Sequence, residues 1–257
     1  MNNQCLEKTG KFIDFQILMD KLLLSIGYLY TNKDIVLKPV LPKNFALADA
    51  YIHSFPQLVL YFNGDHDHPN TSCEKDLLSP ACCYPLFHYL SDSKFEEKQL
   101  FTTKSYVFRN EDSFEEWVRE PVFTVREFVL FGKENQVLDW IQLVSEHFPQ
   151  ILTQLGLEVK IEEAADAFFN PKSLQSQFQS YYKLKQELRV NDIAIASINN
   201  HKNIFNRKCS IHLEDEPAFS ACFALGYNRI WHVLTEKYGV EESLQKLESL
   251  LETISNN

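Results

Sequence analysis

Glycine is scarce in this sequence, seven in 257 residues, and there are only two methionines. Set against twenty phenylalanines, that scarcity implies a tightly filled interior with few flexible hinges. No run approaches the ~18 apolar residues that a membrane-spanning helix needs. The longest early run, Leu22 to Tyr30, contains a glycine and lacks a basic leader with a small-residue cleavage site. Positive charge is also in deficit: 25 Lys and Arg face 35 Asp and Glu, a formal net charge of −10. An acidic chain repels phosphate backbones, which disfavours broad nucleic-acid contact while leaving room for a local basic site. Together these absences make a soluble, cytoplasmic protein the expectation, with no membrane partner.

Several nucleotide and hydrolase signatures are missing as well. There is no G-x-x-x-x-G-K-[ST] phosphate loop, no G-x-G-x-x-G and no G-x-S-x-G elbow. Repeats, low-complexity tracts and Gly/Ser/Pro linkers are equally lacking, so residues 1–257 read as one domain. Hydrophobic residues reach 45%, enough for a substantial core. The six cysteines, Cys5, Cys73, Cys82, Cys83, Cys209 and Cys222, sit in a chain too long for a small disulfide scaffold. Reduced thiols are the default, some of them candidate metal ligands.

Periodicity yields a coarse architecture. The Asn63–Asn70 stretch is dense in turn formers and reads as a loop. Within it, the Asp65-His-Asp-His68 run could bind a metal, but such residues are ordinary in an exposed loop. Tyr106–Glu111 and Val122–Phe131 read as strands, and Lys133 to Leu155 as an amphipathic helix. A second helix is expected from Pro171 to Leu188, with strands at Asp192–Ser197, Lys208–Leu213 and Phe219–Leu225. From Glu241 the pattern is helical again. The two central strands are joined by only about ten residues, fewer than a parallel crossover needs, so they should pair antiparallel. The fold class is α+β.

Four patches carry chemistry: Ala81-Cys-Cys-Tyr-Pro85, Phe108-Arg-Asn-Glu111, Phe123-Thr-Val-Arg-Glu-Phe-Val129 and Ser220-Ala-Cys-Phe-Ala-Leu-Gly-Tyr-Asn-Arg229. In a strand, Phe123, Val125 and Glu127 share a face, and so do Arg109 and Glu111. A carboxylate among apolar neighbours needs a cation or donors to meet it. An Arg–Glu ion pair on a partly solvated sheet would also explain these residues. Cys222 lies in an apolar strand, where a lone cysteine commonly serves as a small hydrophobe. Two thiolates and a carboxylate would equally suit zinc with one coordination position open. Cys82 and Cys83 are adjacent, so only one can join a given site.

Phe108-Arg-Asn-Glu111 with the following Phe-x-x-x-Glu strand resembles motif 2 of class II aminoacyl-tRNA synthetases, and Gly226-Tyr-Asn-Arg229 resembles motif 3. More narrowly, the chain resembles amino acid–carrier protein ligases, which are similar to the catalytic core of atypical archaeal seryl-tRNA synthetases. The likeness runs in order over residues 51–235. It takes in Tyr51-Ile-His-Ser-Phe-Pro56, Ala165-Asp-Ala-Phe-Phe169, Leu184-Lys-Gln-Glu187 and Ser197-Ile-Asn-Asn-His201.

The resemblance implies a mostly antiparallel catalytic sheet flanked by helices, a homodimer, and no tRNA-binding appendage. It implies that Arg109 holds the α-phosphate of ATP and Glu111 the adenine amino group, while Phe123 and Arg229 sandwich the purine. Zinc would be held by Cys83, Glu127 and Cys222, with Cys82 as the alternative to Cys83, and Mg²⁺ would accompany ATP. A small amino acid of the glycine or alanine type would be activated to its adenylate and passed to a phosphopantetheinylated carrier protein. There are departures from the family pattern. Asn228 stands where motif 3 usually has Glu, Asn170-Pro171 where Gly-Arg is expected, and Phe219 where His is common. They keep open an alternative, a catalytically impaired paralogue with a binding or regulatory role. A tRNA-aminoacylating enzyme is disfavoured, since no segment is spare for an RNA-binding module.

Overall fold

A computed structural model describes residues 3–62 and 76–255. The Asp65-His-Asp-His68 run and Cys73 lie outside the described residues. In chain order the helices are α1 (Asn3–Gly10), α2 (Phe12–Ser25), α3 (Ala46–Ser54), α4 (Cys83–Tyr89), α5 (Glu134–Gln154), α6 (Leu174–Tyr181), α7 (Ile204–Cys209), α8 (Tyr227–Tyr238) and α9 (Val240–Ser255). The short strands are β1 (Val40–Leu41), β2 (Tyr61–Phe62), β3 (Asp76–Leu78), β4 (Lys94–Phe95), β10 (His212–Leu213) and β11 (Glu216–Pro217). The long strands are β5 (Gln99–Phe108), β6 (Val122–Gly132), β7 (Val159–Glu163), β8 (Lys185–Val190), β9 (Ile193–Lys202) and β12 (Phe219–Gly226).

The long strands form one six-stranded sheet in the order β5-β6-β12-β9-β8-β7, and every neighbouring pair is antiparallel. The expected α+β class and the antiparallel central pair are both present. Strand β6 is apolar on both sides because the sheet is covered on both sides. Phe128 and Leu130 enter one core with α2, α5, α8 and α9, whereas Val129 and Phe131 enter a second core with α3, α4 and α7. In α5, Val137, Trp140, Val144, Phe148 and Leu152 recur at three- and four-residue intervals and lay one stripe against the sheet. Gly239, at φ +76°, separates α8 from α9 in a conformation that only glycine adopts cheaply.

Three elements differ from the sequence reading. The helix expected over 171–188 spans only Leu174–Tyr181, capped by the Ser173 hydroxyl, which accepts from the Ser176 amide. It stops because Lys183 takes a left-handed φ of 51° and the chain from Lys185 pairs with β9. Sheet pairing overrides a helix-compatible composition there. Lys208–Leu213, expected as a strand, is mostly the end of α7, with Ser210 left-handed at its C-cap and only His212–Leu213 extended. The strand expected at Tyr106–Glu111 is Gln99–Phe108, so Arg109 and Glu111 lie just beyond its end.

Candidate functional site

The second face of the sheet gathers the chemistry. Cys222 of β12 faces Val129 of β6 across one ladder and Asn199 of β9 across the other. The Asn199 side-chain amide donates to the Cys222 sulfur at 3.4 Å. Cys83, at the start of α4, brings a second thiol over this face, and its backbone N–H donates to Glu127 Oε2 at 2.8 Å. Glu127 also hydrogen-bonds both thiols. Cys83, Glu127 and Cys222 are all buried. Cys82 is not part of this group: at the N-cap of α4 its thiol turns to the carbonyls of Val125 (3.3 Å) and Ser105 (3.7 Å). The adjacent cysteines therefore diverge by helical geometry rather than by strand alternation.

The structure adds His201, which sequence reasoning passed over. The ligand atoms of Cys83, His201 and Cys222 all lie within 4.8 Å of one another. His201 stands where the register of β9 slips against Ser220 and Ala221, so it is the extra residue of a bulge. Its ring stacks on Phe205 and its Nδ1 pairs with the Ser220 hydroxyl at 3.1 Å. Counting in twos from Ser197 through Asn199 puts it on the Cys222 side, a signal available in the sequence once the pairing is known.

Burial raises Glu127 above its ordinary value and lowers His201 to about 3. Cys83 is raised well above the thiol range by its hydrogen bond with Cys222, by burial and by Glu127. For Cys222 the bond with Cys83 works downward, but burial and Glu127 outweigh it and push the thiol up to about 11. Two sulfurs and an imidazole so close together are donors that zinc takes. In a tetrahedral site with ~2.3 Å Zn–S arms, sulfurs sit about 3.8 Å apart, so the observed spacing fits a single ion. Cys83, His201 and Cys222 could hold such an ion, with Glu127 hydrogen-bonded to both thiols beside them.

The nucleotide-site candidates lie around the 109–121 segment. The Arg109 guanidinium sits 5.4 Å over the Phe123 ring, and its Nε donates to the Pro80 carbonyl at 3.1 Å. Glu111 does not pair with Arg109; Arg119 reaches it at 3.7 Å. Arg229, on the first turn of α8, donates to the carbonyls of Val118 (2.7 Å) and Ala194 (3.0 Å). Burial, with help from Arg109, draws Arg229 below the usual guanidinium range. Among the described residues neither Arg109 nor Arg229 has a carboxylate at ion-pair distance. Asn228 ties motif 3 to motif 2: its Oδ1 accepts from the Thr124 amide at 3.0 Å and its Nδ2 donates to Glu120 at 2.7 Å.

This antiparallel sheet superposes on solved synthetases. A seryl-tRNA synthetase from M. kandleri, solved with A. aeolicus tRNASec, matches with a TM-score of 0.75 at 17% identity over 91% of this chain. The fold is that of the class II aminoacyl-tRNA synthetase core. The cytoplasmic serine-tRNA ligase of Naegleria fowleri, solved with AMP, follows at 0.68, 12% identity and 93% coverage. The chain spans 55% and 59% of these two proteins' lengths.

No family model matches the sequence. Curated relatives do. The chain is 26% identical over 233 residues to amino acid–acyl-carrier-protein ligase 1 of Bradyrhizobium diazoefficiens, covering 80% of this chain and 71% of that one. It is 27% identical over 237 residues to ligase 2 of the same organism, covering 80% and 70%. The class II core and the likeness to carrier-protein ligases, both expected from the short motifs, are thus found. Among the described residues no helix is long and apolar enough to cross a membrane.

Proposed function

We propose that this chain is an ATP-dependent amino acid–carrier protein ligase. It would convert a small amino acid to an aminoacyl-adenylate and pass the acyl group to the phosphopantetheine thiol of a carrier protein. The observation that carries this reading is the pairing, on one class II sheet, of a thiol–carboxylate–thiol cluster with two arginines that have no carboxylate partner among the described residues.

An amino acid's carboxylate is ionised at neutral pH, so attack on the α-phosphorus needs placement and charge stabilisation rather than a general base. Arg109, held by the Pro80 carbonyl, would offer its remaining N–H groups to the α-phosphate as negative charge accumulates and pyrophosphate leaves. Phe123 would support the purine on one face and Arg229 on the other, with Glu111 accepting from the adenine amino group. Zinc held by Cys83, Cys222 and Glu127, with His201 beside them, would supply an open position for the neutral amino group of the substrate. An acid lacking that amine would leave the position unpaired and be rejected. In the second half-reaction the carrier thiol attacks the acyl carbon and AMP departs with the anhydride electrons. Mg²⁺ arriving with ATP and a homodimeric state are proposed on the same resemblance.

The hydrogen bonds of Asn228 support an active protein over an impaired paralogue, since the residue still bridges motifs 2 and 3. The experiment is amino-acid-dependent ATP–pyrophosphate exchange by zinc-loaded protein over a panel of amino acids. Exchange with glycine or alanine is expected, and silence with every amino acid would exclude the ligase. Metal analysis should find one zinc per chain, lost in Cys222→Ala and kept in Cys82→Ala. Retention by the former variant would remove Cys222 from the ligand set.

A further inference from the structure

Two buried tyrosine hydroxyls, those of Tyr28 and Tyr51, have no hydrogen-bond partner among the described residues. Native chains seldom leave such a donor unmet, because its hydration is lost and nothing replaces it. The two surroundings differ. Tyr28 sits in the first core beside the His147 ring, far in the fold from the proposed site. Tyr51, on α3, lies in the second core, packed on Phe55 at 5.0 Å and edge-on to Tyr84 at 5.9 Å. Tyr84 directly follows Cys83, so Tyr51 is one ring away from the thiol cluster.

The charges felt at Tyr51 are those of Arg109, Asp166 and Glu111. Burial comes first and pushes the phenol up to about 12, with Arg109 pulling the other way, so at neutral pH the hydroxyl is a proton donor. Neither carboxylate lies at hydrogen-bond distance from the hydroxyl. Asp166 is engaged by Lys185 at 2.8 Å and by Gln179 at 2.7 Å, and Glu111 by Arg119. A donor without an acceptor, beside an arginine without a carboxylate, makes a pair suited to an anionic oxygen from outside the chain.

We infer that Tyr51 is a substrate-contacting residue whose hydroxyl donates to the anionic oxygen that Arg109 holds, on the amino acid's carboxylate or on the α-phosphate it attacks. This deepens the ligase reading and rests on it. Tyr51→Phe removes only the hydroxyl. Because that group has no partner in the protein, the melting temperature of the ligand-free variant should stay the same or rise. Its affinity for glycyl sulfamoyl adenosine, a stable adenylate mimic, should fall about 10- to 100-fold, the worth of one hydrogen bond to a charged group. In pyrophosphate exchange, a rise confined to the KM for the amino acid places the contact on the carboxylate. A rise in the KM for ATP, or a loss in kcat alone, places it on the phosphate. Tyr28→Phe, changed in parallel, should leave both mimic binding and exchange untouched. Wild-type binding of the mimic with an unchanged Tyr51→Phe variant overturns this inference alone, as does a clear drop in the variant's ligand-free melting temperature. Failure of the wild type both to bind the mimic and to exchange overturns the ligase reading with it.

Discussion

Two arginine environments beside the central sheet handle charge in opposite ways. On the face toward α2 and α8, Arg126 is held by Asp20 (2.9 Å) and Asp34 (2.8 Å), with Lys104 also on Asp20. The Tyr227 hydroxyl donates to the same Asp20 at 2.6 Å. Two cations meet two carboxylates. Burial works against the Arg126 charge, yet Tyr227, Asp20 and Asp34 more than offset it and hold the group above its usual range. Just beyond the end of β5 and on the first turn of α8, Arg109 and Arg229 instead rest on neutral carbonyls. Matched charge clamps helices to the sheet, whereas unmatched charge is left available to an anionic ligand. Residue type alone does not separate the two; the partners do.

The contrast can be broken first at Arg126. Arg126→Met strips the exposed Asp34 of its cation and leaves the partly buried Asp20 with Lys104 alone, and should cost about 1–3 kcal/mol of stability, read by urea unfolding. Zinc content of the folded fraction should not change. At Arg109 the pattern should invert. Arg109→Met is expected to unfold at nearly the wild-type denaturant concentration while losing about 10²- to 10³-fold in exchange kcat, the worth of one charge-stabilising donor. If Arg109→Met proves as unstable as Arg126→Met, its charge is matched after all and the distinction fails.

A finer test lies at the tie between the motifs. Asn228→Asp places a carboxylate against Glu120 and should reduce exchange by roughly 10-fold through lost alignment of Arg229. Adding Glu120→Gln restores a donor opposite the new acceptor and should recover most of that loss, whereas additive losses would show that the two side chains act separately. The smallest effect is expected at Asp166. Burial would raise its carboxyl, but Lys185 and Gln179 hold it below the usual range. A depressed folded pKa means stability that is present above the unfolded value and lost as pH falls through the folded one. Asp166→Asn should therefore flatten the decline of melting temperature below about pH 4, leaving the neutral-pH value only slightly lower.

Much of this organisation was legible in the residues. Strand β6 announces itself by β-branched and aromatic density, and the short link expected before it pointed to the antiparallel pairing with β5 that the structure has. That Glu127 stands with Cys83 and Cys222 was implied by the family resemblance, whereas the contact of Phe123 with Arg109 came only from the structure. The chain's own sheet contacts decided the rest. Lys183 and Ser210 turn left-handed at positions where no glycine signals it, so α6 and α7 end where composition alone would not stop them. His201 joins the thiols through a bulge, and a bulge has no signature in one strand read without its partner. The divergence of Cys82 and Cys83 was expected, but it follows from a helix start rather than a strand. Tyr51 was legible only as part of a string, because an unmet hydroxyl is visible only once its neighbours are known.

The first core joins α2 to α9: Phe15, Met19 and Leu22 share it with Leu244, Leu247 and Leu250. The Trp231 indole caps the arrangement by donating to the Lys8 carbonyl, 223 positions away in sequence. Closing so large a loop costs entropy before any contact repays it, which makes folding slow. During synthesis the side of α2 that packs on α9 stays uncovered until α9 has left the ribosome. Every emerging copy thus passes through a period of exposure to aggregation, and its yield in the cell should depend on chaperones more than its final stability would imply.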